Sequence, residues 1–341
     1  MTWIDGARIV DPKPLPVGHR RPETGISGKV EPGALHIEGD RITGRASRAP
    51  PRAKVIDARG LYLVPAFVDA HVHLSVAGDP ALVAREALRK GVAAVLDLGA
   101  PERLLPLEHP PLRTRFSGPL LTAPQGYPTQ TWGKDGHGLA VSAPEEAVAA
   151  VQRLHAAGAR FLKLAFDGRY PVLDPLVAKA AADAAHKLRM RVVAHALEAD
   201  AVKRALEAGA DILGHTPREP LPKPVLEMVK DKWVISTLHA FKVPPARLKA
   251  LRYAGARVAY GTDLGNAGTK PGIDARELAL LVAAGVDPLV AATRDAAELL
   301  GFKELGRLSV GSTASLLAVR SLQPQDLADP VWVMNCGKLV A

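Results

Sequence analysis

From residue 61 onward the hydrophobic positions alternate between two kinds of segment. LYLVPAFVDA (61–70), VAAVLDLGA (92–100), ARFLKLAF (159–166), RVVAHA (191–196), ADILGHT (210–216), WVISTL (233–238) and ARVAYGTD (256–263) are almost continuously apolar. Short runs of that kind predict strands buried on both faces. RTRFSGPLLTA (113–123) predicts one more strand, after a short helix near Glu102. Between these runs the apolar period lengthens toward that of a helix. DPALVAREALRKG (79–91), SAPEEAVAAVQRLHAAG (142–158), LDPLVAKAAADAAHKL (173–188), EADAVKRALEAG (198–209), KPVLEMVKD (223–231), PPARLKALRYAG (244–255), IDARELALLVAAG (273–285) and DPLVAATRDAAELLG (287–301) read as helices. Gly91 and Gly158 serve as stops, with Ser142 as N-cap of the second helix. About eight strand-then-helix units predict an α/β fold, a distorted TIM (β/α)8 barrel.

The two ends of the chain break this rhythm. ALHIEGDRI and AKVIDARG near the start, and GRLSVGSTASLLAV and VWVMNCGKLVA near the finish, are short β-like pieces among turns. They predict a small β-sandwich domain built from residues 1–62 and 307–341, with the barrel of residues 63–306 inserted between. DPKPLPVGHRRPETG (11–25) is proline-rich and predicts an exposed loop.

Composition bounds the function classes. With 341 residues and 48% hydrophobic content, the chain can bury one large core and a smaller one. A single cysteine, Cys336, excludes an internal disulfide framework and fits a reducing, cytoplasmic setting. The first residues lack the pattern of a signal peptide, and the apolar runs are too short for a membrane span. The net charge of +9 comes without a basic run or interleaved aromatics, so it predicts solvated arginine-rich faces and no nucleic-acid partner. A small-molecule substrate is the expected partner. A homo-oligomer is compatible with the sequence, which sets no subunit number.

Chemistry-bearing residues fall where the predicted strands end: His71 and His73, Lys163, His195, His215 and Asp263. In such a barrel those ends form the active site. His71 and His73 stand at i and i+2, on one face of a strand, so their imidazoles can chelate one cation. Taken alone, the pair is more often ordinary decoration. Lys163 shares a face with Phe161 and Ala165. Either its amine escapes to solvent, or burial lowers its pKa so that it takes up carbon dioxide. The resulting carbamate has two oxygens that can bridge two cations. His195 and His215 can serve a second ion or be satisfied core histidines. Asp263 can be a ligand or a turn residue.

At this point the chain resembles the amidohydrolase superfamily. FVDAHVHL (67–74), FLKL (161–164), VVAHA (192–196), ILGHT (212–216) and AYGTD (259–263) follow its order of His-x-His, Lys, His, His, Asp, and RDAAELLGFKELGRLSVGSTASLLAV (294–319) is similar to its closing segment. DGHGLAVSAPEEAVAAVQRLHAAGARFLKL (135–164) is similar to the branch of Xaa-Pro and Xaa-Arg dipeptidases and imidazolonepropionase-like proteins. The resemblance implies two divalent ions, with zinc expected. His71, His73 and Asp263 hold one, His195 and His215 the other, and carbamylated Lys163 bridges them. It implies hydrolysis of a C–N amide bond in a dipeptide, N-acyl amino acid or cyclic amide. A hydroxide between the ions attacks, Asp263 shuttles the proton, and His137 hydrogen-bonds the substrate or its oxyanion. Two departures stand out: Leu197 where dipeptidase-like members often have tyrosine, and Ala314-Ser315-Leu316 in the closing motif. Arg218 is a candidate for a substrate carboxylate, and Tyr127, Trp132, Tyr170 and His239 are candidates for the pocket wall. Two rivals remain: a single-metal deaminase of a heterocyclic base, against which Lys163 argues and for which Glu198, three residues past His195, lacks the usual sequence context, and a non-catalytic metal-binding barrel.

Overall fold

The structure, a computed structural model, describes residues 1–13 and 28–340. The chain opens with β1 (Thr2–Pro12), β2 (Gly28–Glu38), β3 (Arg41–Ala46), β4 (Val55–Asp57) and β5 (Tyr62–Pro65). Asp11 and Pro12 therefore end a strand, Lys13 follows it exposed, and residues 14–25 of the expected loop lie outside the described residues. The next strands are β6 (Phe67–Val72), β7 (Val92–Asp97), β8 (Arg113–Phe116), β9 (Leu120–Thr122), β10 (Gly138–Ala140), β11 (Phe161–Ala165), β12 (Arg191–His195), β13 (Ile212–Leu213), β14 (Trp233–Ile235) and β15 (Arg257–Ala259). β16 (Leu316–Val319), β17 (Trp332–Asn335) and β18 (Lys338–Leu339) complete the set.

Strands from both ends join one mixed eight-stranded sheet, ordered β18-β17-β16-β5-β1-β2-β3, with β4 beside β1. One edge of β1 pairs with β2 throughout, while the other is shared by β4 at Trp3–Asp5 and β5 at Arg8–Ile9. Ile4, Ile9, Leu35, Ile42 and Leu63 from the start pack with Leu308, Leu316 and Met334 from the finish. That shared apolar cluster is why neither terminal segment needs a long helix. β5 belongs to this sheet, between β1 and β16.

The middle of the chain forms two parallel sheets, β6-β7-β8 and β10-β9-β11-β12-β13-β14-β15. Backbone bonds link β6 to the segment after β15: Tyr260 O accepts from Ala70 N (3.0 Å), Leu264 O from His73 N (2.7 Å), and His71 O from Asp263 N (2.9 Å). Alternation sorts the side chains. Phe161, Val193, Ile212, Trp233, Ile235 and Ala259 meet Val68 and Leu96 in an inner cluster. Leu162, Leu164, Val192, Ala194 and Leu213 face the outer cluster packed by helices. A buried Leu or Val of this kind contributes roughly 1.5–3 kcal/mol. Lys163, in the same run, contributes nothing of that sort and must be there for another reason.

Local chemistry sets the element ends. Asp79, Asp174 and Asp287 each accept backbone N–H bonds from the helix they start, with proline at the next position. Two expectations are corrected. The run 113–123 is two strands, β8 and β9, because Gly118 adopts a positive φ and Pro119 has no amide to donate. Ser142 does not cap its helix. Pro144 starts the helix after Ala143, and Ser142 instead gives both its amide (2.8 Å) and hydroxyl (2.9 Å) to the Glu146 carboxylate. Among the described residues no helix is long and apolar enough to cross a membrane.

The run 287–301 contains a widened turn at Ala291–Asp295. Asp295 sits there mostly buried, and its carboxyl rises from 3.8 to about 6 because burial outweighs the pull of Arg257 and Arg294. An acid raised in the folded state binds its proton more tightly there than when unfolded. Its contribution is therefore complete below 3.8 and is lost as pH rises through about 6. Asp295→Asn should flatten that part of the stability profile, as read by urea unfolding across the interval.

Candidate metal centre

Six side chains from five strand ends line one cavity of about 370 Å³: His71, His73, Lys163, His195, His215 and Asp263. Parallel strands put all their carboxyl ends on one side, so residues far apart in sequence arrive together. The register of β6 against β7 shifts between Asp69 and Val72. Val68 and Ala70 face the inner apolar cluster, and beyond the shift His71 and His73 take over that face. A bulge of this sort re-aims side chains at a strand end. Asp263 follows β15 in a left-handed conformation, φ +55°.

His71, His73 and Asp263 converge on a point. Asp263 Oδ1 lies 3.2 Å from His71 Nε2 and 3.3 Å from His73 Nε2. Donors held tetrahedrally about 2.0–2.2 Å from one zinc ion stand about 3.3–3.6 Å apart, so these separations fit a shared ion. Lys163 is only 1% exposed and points inward: a Cβ added at Gly214 would fall 2.6 Å from its Nζ. Likewise, a Cβ at Gly99 would fall 2.5 Å from His73 Nδ1. His195 Nδ1 and His215 Nε2 are 3.0 Å apart, and His215 stacks on His71 at 4.5 Å.

Partners on the far side fix these rings. His71 Nδ1 meets Gly214 O at 2.7 Å, and His215 Nδ1 meets Thr237 Oγ1 at 3.1 Å. Asn266 Nδ2 donates to Asp263 Oδ2 at 3.1 Å. Asp69 accepts from His71 N (3.1 Å), Thr262 N (3.0 Å) and Thr262 Oγ1 (2.5 Å), tying β6 to the segment before Asp263. Such outer partners orient ligands and select tautomers. The sequence reading missed Asp69, Thr237 and Asn266. The signal for Asp69 was present, as the one carboxylate inside an otherwise apolar run.

Four atoms that face the cavity have no hydrogen-bond partner: His71 Nε2, Lys163 Nζ, His195 Nε2 and Asp263 Oδ1. An unsatisfied buried polar atom costs about 1–3 kcal/mol. Four together reach roughly the whole stability of an ordinary domain. His71 Nε2 and Asp263 Oδ1 belong, with His73, to a group that could hold a metal ion, and a donor set of imidazole and carboxylate suits zinc and its neighbours. Burial lowers His195 to about 3 and takes His71 and His215 well below the usual imidazole value, helped by the nearby Lys163 or His71 charge. These rings are therefore neutral, the form that binds metal. Burial also lowers Lys163 to about 7, against the opposing pull of Asp263.

Other candidates sort less uniformly. Tyr127, Trp132 and Arg218 line the cavity, joined by Phe241, which the sequence reading did not single out. Tyr127 stacks on His195 at 4.5 Å, Trp132 meets His73 edge-on at 5.0 Å, and Phe241 meets His215 at 4.5 Å. The Arg218 guanidinium lies 5.2 Å from the Phe241 ring centre, at the exposed rim. His137 is absent from the wall. Its ring lies 5.6 Å from that of Trp132, and its Nδ1 is engaged by Gly99 O at 2.6 Å. His239 is turned to Asp274 at 2.6 Å. Tyr170 and Glu198 line a different cavity with Asp200 and Arg204. Leu197 is buried outside the wall, its carbonyl accepting from Arg218 N.

The Amidohydrolase family pattern matches residues 62–339. Imidazolonepropionase from Streptomyces griseus is 50% identical over 54 residues, which is 15% of this chain and 14% of that protein. Adenine deaminase from Listeria monocytogenes is 39% identical over 72 residues, 21% of this chain and 12% of that protein. The aligned stretch thus spans a small part of either curated relative. Among solved structures, a Xaa-Pro dipeptidase with bound methionine in the active site superposes with a TM-score of 0.80 at 21% identity, covering 99% of both chains. A. niger ochratoxinase superposes at 0.75 with 19% identity, covering 99% of this chain and 95% of its own. At these identities the superpositions speak for the fold alone, an α/β architecture with parallel sheets and a mixed terminal sheet. The family match spans most of the chain, including all six of these cavity residues, and on it the chain belongs to the amidohydrolase family.

Proposed function

We propose that this protein is a metal-dependent hydrolase that cleaves an amide-type C–N bond in a small molecule. The observation that carries the reading is the meeting of six donor side chains in one cavity with four of their inward atoms unpartnered. We read the parallel strands as one distorted (β/α)8 barrel, residues 63–306, and the terminal strands as a separate small β domain. His71, His73 and Asp263 would hold one divalent ion and His195 and His215 a second, with Lys163 between them as its carbamate. A neutral buried amine is the form that adds carbon dioxide, and the lowered Lys163 supports it. Bound there, zinc or a similar ion would acidify a water and polarise a carbonyl oxygen.

The chain's own residues do the rest. Asp263 Oδ1, which has no competing hydrogen bond, takes a proton from the water as its oxygen adds to the carbonyl carbon. It returns that proton to the leaving nitrogen as the C–N bond breaks. Asn266 holds the other carboxylate oxygen and so fixes the plane of the carboxylate for this transfer. Tyr127, Trp132 and Phe241 press against the imidazoles and shield them from bulk water. Arg218, with no carboxylate of the chain paired to it among the described residues, is suited to a substrate carboxylate at the rim. A dipeptide or N-acyl amino acid has that shape.

The deaminase reading has less support. Glu198, the glutamate that follows His195, starts the helix Ala199–Ala208 and lines the other cavity, while Lys163 occupies the site. The binding-only reading uses the same metal donors, and hydrolysis on the panel below separates it from the enzyme reading.

Metal analysis of purified protein should find about two divalent ions per chain, and chelation should abolish hydrolysis on a panel of dipeptides, N-acyl amino acids and lactams. Full activity with one ion and an unmodified Lys163 would sink the bridged centre. Lys163→Ala should lose most activity and regain part of it with added short carboxylic acids. Arg218→Met should raise KM by about tenfold or more for substrates ending in a carboxylate, and leave KM for the corresponding neutral amides unchanged. An equal effect on both would remove Arg218 from recognition.

A further inference from the structure

Hydrolysis builds negative charge on the carbonyl oxygen, and hydrogen-bond donors aimed at that oxygen speed the reaction. Few neutral donors line this cavity. Asn266 gives one of its two amide N–H groups to Asp263 Oδ2 at 3.1 Å, which holds the amide against that carboxylate. Trp132 Nε1 is committed to the Tyr127 hydroxyl oxygen at 2.8 Å. His137, the donor expected from sequence, stands across Trp132 with Nδ1 on Gly99 O.

The Tyr127 hydroxyl remains. A phenol has one proton to give as well as lone pairs to receive. Trp132 occupies its accepting side, so the O–H must point away from the indole. The ring is held flat on His195, with centroids 4.5 Å apart and planes 24° apart, and is flanked by Tyr170 at 6.0 Å. It therefore cannot swing away from the metal donors without breaking that stack. Donation from Trp132 also makes the phenol a stronger donor in turn.

Resting on the hydrolase reading above, we propose that Tyr127 is a catalytic residue. Its O–H donates a hydrogen bond to the substrate carbonyl oxygen as that oxygen becomes negative, with Trp132 behind it as the positioning residue. No proton changes owner in this contact, and the phenol stays neutral throughout.

The test uses metal-loaded wild type, Tyr127→Phe and Trp132→Phe. Each is assayed on the fastest substrate of the panel and titrated calorimetrically with a tetrahedral methylphosphonate analogue of that substrate and with the product amine. Phe keeps the ring and its stack, so fold and metal content should hold. Tyr127→Phe should lower kcat by about 100-fold, with KM and product binding unchanged, and weaken phosphonate binding by a comparable factor. Trp132→Phe should show a smaller loss of the same kind. Equal phosphonate affinity in Tyr127→Phe and wild type overturns the assignment while leaving the hydrolase reading intact. A wild type that holds its metal and hydrolyses nothing overturns both.

Discussion

Everything in the cavity follows from one constraint: polar side chains have been carried to the end of an apolar interior and turned inward. Below them lie Phe161, Val193, Ile212, Ile235 and Ala259, which offer no hydrogen bond at all. A nitrogen or oxygen in that position must find a partner among its neighbours or in something bound. The far sides of His71 and His215 and one oxygen of Asp263 find theirs in Gly214, Thr237 and Asn266. Their near sides are left facing one another. The arrangement keeps the rings rigid and the inward lone pairs free.

That constraint also explains the small residues nearby. Gly214 and Gly99 have no Cβ because the Lys163 amine and the His73 ring occupy the space a methyl group would need. The close approach of backbone to ligand side chains sets the depth of the cavity floor. The aromatic wall then narrows its mouth. Tyr127, Trp132 and Phe241 each lie against an imidazole, so hydrophobic packing and ligand geometry are enforced by the same contacts. Burial in turn strips the imidazoles of their protons, which tunes them for a cation. Packing and electrostatics here are two results of one enclosure.

The sequence by itself determined the alternation of buried strands and helices, because a strand covered on both faces must be continuously apolar and a helix on a sheet must keep a 3.6-residue stripe. It also picked out six residues on or just after those strands, which the parallel connections bring to one cavity. The tertiary structure alone decided the aim of each group. It split 113–123 at Gly118 and Pro119, carried Tyr62–Pro65 into the mixed sheet, and turned the histidines of β6 inward through a register shift that no spacing rule predicts. It also left His137, Tyr170 and His239 off the wall, kept the expected Tyr127 and Trp132 there, and added Phe241. Strand-end residues were legible because periodicity fixes their phase locally. Loop residues were not, because their side chains are aimed by contacts with chain segments distant in sequence, and those contacts exist only once the chain is folded.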